Sequence, residues 1–145
     1  MSSISPLSGL LTVSHLRFTN LWLSLGIFLI GFATLMSLIS VPDPLKAVIL
    51  NDKLTHVAAY GCLMGWFAQI FRHDLTRAAL VVLFVVLGVG MEYLQSMVPS
   101  RHFEVADMLA NTCGILLAWA LSYTRMGELL QMFEDALMGG VVQSA

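Results

Sequence analysis

The 145-residue chain is short of charge: 11% of it is Asp, Glu, Lys or Arg, where soluble domains carry about 25%. Seven basic and nine acidic side chains leave a formal net charge of −2. That balance excludes a basic nucleic-acid binder, so no nucleic-acid partner is expected. It also excludes a disordered chain, which needs high charge and little apolar content, and a coiled coil, which needs charged flanks. Two cysteines are too few for a disulfide scaffold. What fills the sequence instead is apolar: 58% of residues are hydrophobic, against about 45–50% in soluble domains. A soluble particle of this size has no way to hide that much apolar surface. The chain reads as an integral membrane protein.

The sparse charges mark the crossings. One helical span takes about 20 predominantly apolar residues. Residues 18–42 and 54–71 carry no charge, residues 78–100 carry only Glu92, and 105–124 only Asp107. The pattern predicts four transmembrane helices over roughly 20–40, 53–71, 78–98 and 106–123. The first segment is too long for the apolar region of a cleaved signal peptide and reads as a retained anchor. Val41-Pro-Asp-Pro44 stops the first helix, since proline donates no amide and restricts the residue before it. Arg72 to Arg77 and Val98 to Arg101 begin two more short connections. The expected fold is all-α: one domain over residues 1–145, an integral membrane four-helix bundle running up-down-up-down.

Arg17, Arg72, Arg77 and Arg125 fall on one side, and Lys46, Lys53 and Arg101 on the other. Four against three places both termini in the cytoplasm, by the excess of basic residues on that face. Beyond the last span, 125–145 form a cytoplasmic tail. Within it Met126, Leu129, Leu130, Phe133, Ala136 and Leu137 follow helical spacing, with Glu128, Glu134 and Asp135 opposite. That pattern predicts a short amphipathic helix. Cys62 and Cys113 sit inside spans as small hydrophobes. Gly61 and Gly65 have the spacing that lets membrane helices approach closely.

Polar groups inside a span are costly, so their positions are informative. Lys53, His56 and Tyr60 share one stripe of the second helix, with Asp52 placed to orient the His56 ring. Glu92 and Gln95 share a face of the third, and Asp107 and Asn111 a face of the fourth. The second helix starts where the third ends and the fourth begins. All three stripes therefore lie within about 6–11 Å of one membrane surface. Arg101, His102 and Glu104 lie in the connecting loop above. On the orientation chosen, this polar basket faces the extracytoplasmic side. Structural roles are open for each member. Glu92 can pair with Arg101 or Lys53 to lock helices together, Lys53 can snorkel, and Asp107 can cap the fourth helix. The convergence of three stripes at one end is what those roles leave unexplained.

Three segments carry a resemblance. Asp52-Lys-Leu-Thr-His56-Val-Ala-Ala-Tyr60, Glu92-Tyr-Leu-Gln95, and the run from Val98-Pro-Ser-Arg101 through Asp107 and Asn111 to Gly114 resemble the VanZ-like family. That family is named for a teicoplanin-resistance membrane protein. The likeness spans about residues 50–120, in order and spacing, with Ser100 standing where the family usually has glycine. It implies a small multi-helical protein of the bacterial cytoplasmic membrane and cell envelope, with a proposed distant kinship to enzymes that exchange or cleave lipid head groups.

Two readings follow. In the first, the chain is a membrane-embedded hydrolase or transferase acting on a phosphate-bearing lipid or polyprenyl-linked intermediate. Arg101 and Lys53 hold phosphate, Glu92 or His56 serves as general base, and Asp107, Asn111, Gln95 and Tyr60 orient the substrate. In the second, the same basket binds or shields without chemistry, which accounts for glycopeptide resistance. No cofactor is evident. A divalent ion on Glu92, Asp107 and His56 is chemically conceivable but lacks a ligand-spacing signature. A transporter ranks third, since no repeat halves are visible.

Overall fold

A computed structural model of the chain describes residues 16–39, 52–98 and 103–142, with side chains as far as Gly139. All its elements are helical: α1 (Thr19–Leu38), α2 (Asp52–Ile70), α3 (Asp74–Ser96), α4 (Val105–Leu121), a 3-10 turn (Arg125–Glu128) and α5 (Leu129–Val142). The helix limits lie close to the expected ones, with one exception. α3 starts at Asp74 rather than 78, because Arg77 is a helical residue and not a loop charge. It is buried, and its Nε donates to the carbonyls of Ala68 and Phe71 at 3.2 and 3.0 Å. Its Nη2 donates again to Ala68, at 2.8 Å. The last carbonyls of a helix lack intrahelical donors, so this guanidinium closes the end of α2.

α1 and α3, of 20 and 23 residues, are long and apolar enough to cross a membrane. α2 falls short through its polar first turns and α4 through its length of 17 residues. α4 and the tail meet at 83°, and counting that bent pair as one span gives three. α1 buries only Trp22 and Gly26. Its Leu21, Ile27, Phe28, Phe32 and Leu35 stand exposed, an apolar surface that suits lipid and not water.

The closest packing joins α2 to α4. A Cβ on Gly114 would collide with the Val57 carbonyl oxygen, and one on Gly61 would lie 3.3 Å from the Gly114 oxygen. The two backbones touch, as small residues allow in membrane proteins. Tyr60, Leu63, Met64, Phe67, Ala68, Phe84 and Ile115 form the core beside this seam. A second cluster, Leu16, Trp22, Ile70 and Leu130, ties α1 and α2 to the tail.

The tail is helical as expected but turned differently. Glu134, expected on the outward polar face, is 3% exposed, while Leu129, Phe133 and Leu137 are each about half exposed. Its carboxylate accepts from the Arg17 amide at 2.7 Å, the Phe18 amide at 3.0 Å and the Trp22 indole at 2.6 Å. Free amides at the start of α1 need acceptors, and the α1 sequence offers no side-chain cap of its own. Glu134 supplies that cap from the far end of the chain. Arg72 also holds the tail through Glu128 and Gln131, at 3.2 and 3.1 Å, and the Gln69 side chain accepts from the Leu130 amide at 2.9 Å.

Candidate functional site

At the opposite end, the first turns of α2 and α4 meet the last turns of α3. Lys53, in the first turn of α2, reaches across to α4. Its ammonium bonds Glu104 at 2.5 Å and also Asp107. His56, one turn deeper, is fixed at both ring nitrogens. Nδ1 lies 3.0 Å from Asn111 Oδ1 and Nε2 lies 3.5 Å from Asp107 Oδ2. The i, i+4 spacing of Asp107 and Asn111 puts both on the α4 face that meets His56. The partner that orients the ring is Asn111, where Asp52 was expected. Asp107 stands in the first turn of α4, but its oxygens face Lys53 and His56, and the N-cap residue is Glu104.

Glu92 joins the group from α3. It is 1% exposed, and its Oε1 accepts the Glu104 amide at 2.7 Å. It thereby satisfies the free amide at the N-cap of α4. Its Oε2 is buried and has no partner among the described residues. Gln95 turns to α1, donating to the Ser37 carbonyl and hydroxyl at 2.9 and 2.6 Å. Tyr60 is buried below the polar layer, where its ring and Asn111 both crowd Gly88. Arg101 lies outside the described residues.

Lys53, His56, Asp107 and Asn111 thus form one contact group, and Glu92 is linked to it through Glu104. Gln95 and Tyr60 flank it, Gln95 turned to Ser37 and Tyr60 packed beside Gly88. Two participants went unassigned in the sequence reading. Glu104 was placed only in the loop above, and Ser37 was missed because α1 looked devoid of polar partners. Asp52 proves to share a metal-competent group: it, His56 and Asp107 each offer a ligand atom within 4.8 Å of the others. Glu92, which the conceivable metal set included, is not in that group.

The electrostatics are lopsided. Asp52, Glu92, Glu104 and Asp107 supply four carboxylates, against the Lys53 ammonium among the described residues. Exposure is graded as well, since the Glu104 side chain is 53% exposed and that of Asp107 9%. The exposed Lys53–Glu104 pair is the easiest contact to exchange, because solvent-exposed ion pairs contribute only about 0–1 kcal/mol.

Helices apolar enough for lipid, carrying a buried polar cluster between them at one end, fit a membrane protein. The chain belongs to the VanZ/LLP1 family, whose profile matches residues 5–131. It is similar to the uncharacterized protein C11E3.10 of Schizosaccharomyces pombe, 32% identical over 82 residues that make up 54% of this chain. Those residues cover 51% of that yeast relative, so the chain spans about half of its length. No solved structure matches the chain.

Proposed function

We propose that this chain binds, and chemically processes, the phosphate-bearing head group of a membrane lipid or envelope intermediate at the Lys53 end of the bundle. The observation that carries the reading is the Lys53–Asp107–His56–Asn111 contact group, with Glu104 at its mouth. A phosphate entering from the interface displaces Glu104 from Lys53, exchanging one anion for another. Arg101, at the start of the loop that leads to Glu104, serves as the second phosphate anchor. His56, fixed by Asn111 and beside Asp107, is better placed for proton transfer than Glu92, which is buried and engaged at the head of α4. A divalent cation on Asp52, His56 and Asp107 would offset the carboxylate excess and draw phosphate in the same direction.

In the bilayer, α1 to α4 form an up-down-up-down bundle with both termini cytoplasmic and the site extracytoplasmic. The supporting contacts are those that place the start of α1, the end of α2 and the tail at one end. Ser37, Lys53, Gln95 and Glu104 mark the other. Labelling of a Ser100→Cys variant from outside intact cells tests this orientation, and labelling only after permeabilisation reverses it.

The functional test follows phosphatidic acid, phosphatidylglycerol and a polyprenyl phosphate in nanodiscs, by mass spectrometry, with and without Mg2+ or Mn2+. Head-group conversion of one lipid, lost in Asp107→Asn and His56→Gln, supports an enzyme. Tight binding with no conversion, lost in Lys53→Ala, supports a binding protein instead. Unchanged lipids and unchanged binding in all variants remove both.

A further inference from the structure

We infer that the groove between α2 and α4 holds one fatty acyl chain of the lipid whose head group sits at Lys53 and His56. This assignment rests on the lipid reading above and narrows it to glycerolipid-type substrates. The groove encloses about 440 Å3 and runs from Val57 and Ala58, next to His56, down to Gln69 and Ser122. Its lining therefore begins where the polar group ends, on the same two helices. The floor exists because Gly61, Gly65, Gly114 and Ala118 lack bulk: the backbones meet there, and the shoulders of the helices leave a channel.

Dimensions choose the occupant. The twelve-residue step from Val57 to Gln69 is about 18 Å of helix, slightly more than the ~15 Å that one leaflet contributes to a ~30 Å core. A single-leaflet acyl chain fits within that length, and a much longer polyprenyl tail does not. The lining, mainly Val57, Leu117, Leu121, Met126 and Leu129 beside the glycines, suits a hydrocarbon chain. Met126 and Leu129 line its far end, so the tail borders the groove there.

Two fillers test this. A Cβ on Gly65 meets only the Ala118 Cβ, at an ordinary 3.8 Å, so Gly65→Leu enters the channel without forcing the helices apart. Ala118→Leu fills it from the facing wall. Gly65 lies about 12 Å below Val57 along the helix, beyond the reach of a short chain. Native mass spectrometry of the full chain in detergent is titrated with dipalmitoyl and dioctanoyl phosphatidic acid. Wild type is expected to hold the dipalmitoyl lipid at least about tenfold more tightly. Each filler weakens dipalmitoyl binding by about tenfold and leaves dioctanoyl binding within about twofold, while Lys53→Ala weakens both lipids by a similar factor. Wild-type affinity for the dipalmitoyl lipid in both fillers overturns the assignment. So does a dimer that either filler dissociates, which makes a second copy the occupant. Dipalmitoylglycerol bound as tightly as the phosphatidic acid, and lost in both fillers, keeps the groove and removes the head-group reading.

Discussion

The two ends of this bundle both bury charge, yet they spend it differently. At the tail end, Arg77 gives its hydrogen bonds to the last carbonyls of α2, and Glu134 accepts from three N–H groups at the start of α1. Each of these two buried charges finishes a helix, while the exposed Arg72–Glu128 pair only fastens the tail. At the other end, Lys53, His56, Asp107 and Asn111 bond mainly to one another across α2 and α4, and one oxygen of Glu92 has no partner among the described residues. Charges that serve backbone cannot be exchanged for a ligand without unravelling a terminus. Charges that serve one another can. The difference separates a polar cluster that finishes helices from one whose members can exchange partners, which is what the proposed function requires.

The sharpest way to break that contrast is Glu134→Ala. It strands the buried Trp22 indole and two part-buried amides, and a loss on the order of 2–4 kcal/mol is expected, since a buried donor left unpaired costs about 1–3 kcal/mol. Thermal unfolding in detergent, with protease cleavage of the tail as a second readout, measures it. Arg77→Leu comes next, at about 2–3 kcal/mol, because two carbonyl oxygens lose a charged donor while much of the side-chain volume is kept. Neither change alters which lipid is bound.

Acid produces a milder version of the first effect. Burial alone would raise the Glu134 carboxyl. The Trp22 indole, the Phe18 and Arg17 amides and the Arg17 charge outweigh it, holding the group below its ordinary range. A carboxyl depressed in the folded state contributes stability above its unfolded value near 4.3 that fades as pH falls through the folded value. Tail protection from protease should therefore hold from pH 7 to about 5 and fall below about 4. A Glu134→Gln protein should show no such step.

At the other end the expected sign is different. Glu92→Gln keeps an acceptor for the Glu104 amide and removes a buried charge, so stability should shift by no more than about 1 kcal/mol. Lys53→Met is the smallest change, within about 1 kcal/mol, since the Lys53 side chain is 38% exposed. Lipid binding in that variant should nevertheless be lost. A Lys53→Met protein that unfolds as readily as Glu134→Ala would erase the distinction between the two ends.

Much of this was legible in the chain itself. Charge-free runs locate the helices because lipid penalises charge wherever it falls. The i, i+3 and i, i+4 spacings of His56, Asp107 and Asn111, together with alternating helix direction, were enough to bring those side chains to one end. Arg77 misled because charge marks the edge of the apolar region, not the end of a helix, and a long guanidinium can fold back onto the preceding one. Glu134 misled more. Two of its partners are backbone amides with no side-chain signature, 116 and 117 positions away, and the third is an indole 112 positions away. Leu129, Phe133 and Leu137 formed a persuasive apolar face that turned out to point outward. Helical spacing says which residues share a face but not which face is buried.

The Glu134 contact also fixes an order of events. Arg17 leaves the ribosome 117 residues before the carboxylate that receives its amide. At about 5–20 residues per second, α1 waits roughly 6–23 s for its cap. Through that interval the amides at its entry can be met only by water or by lipid head groups. The native closure of this protein is therefore a late step in synthesis, and a nascent chain halted before α5 would hold its spans with the first one still unfastened.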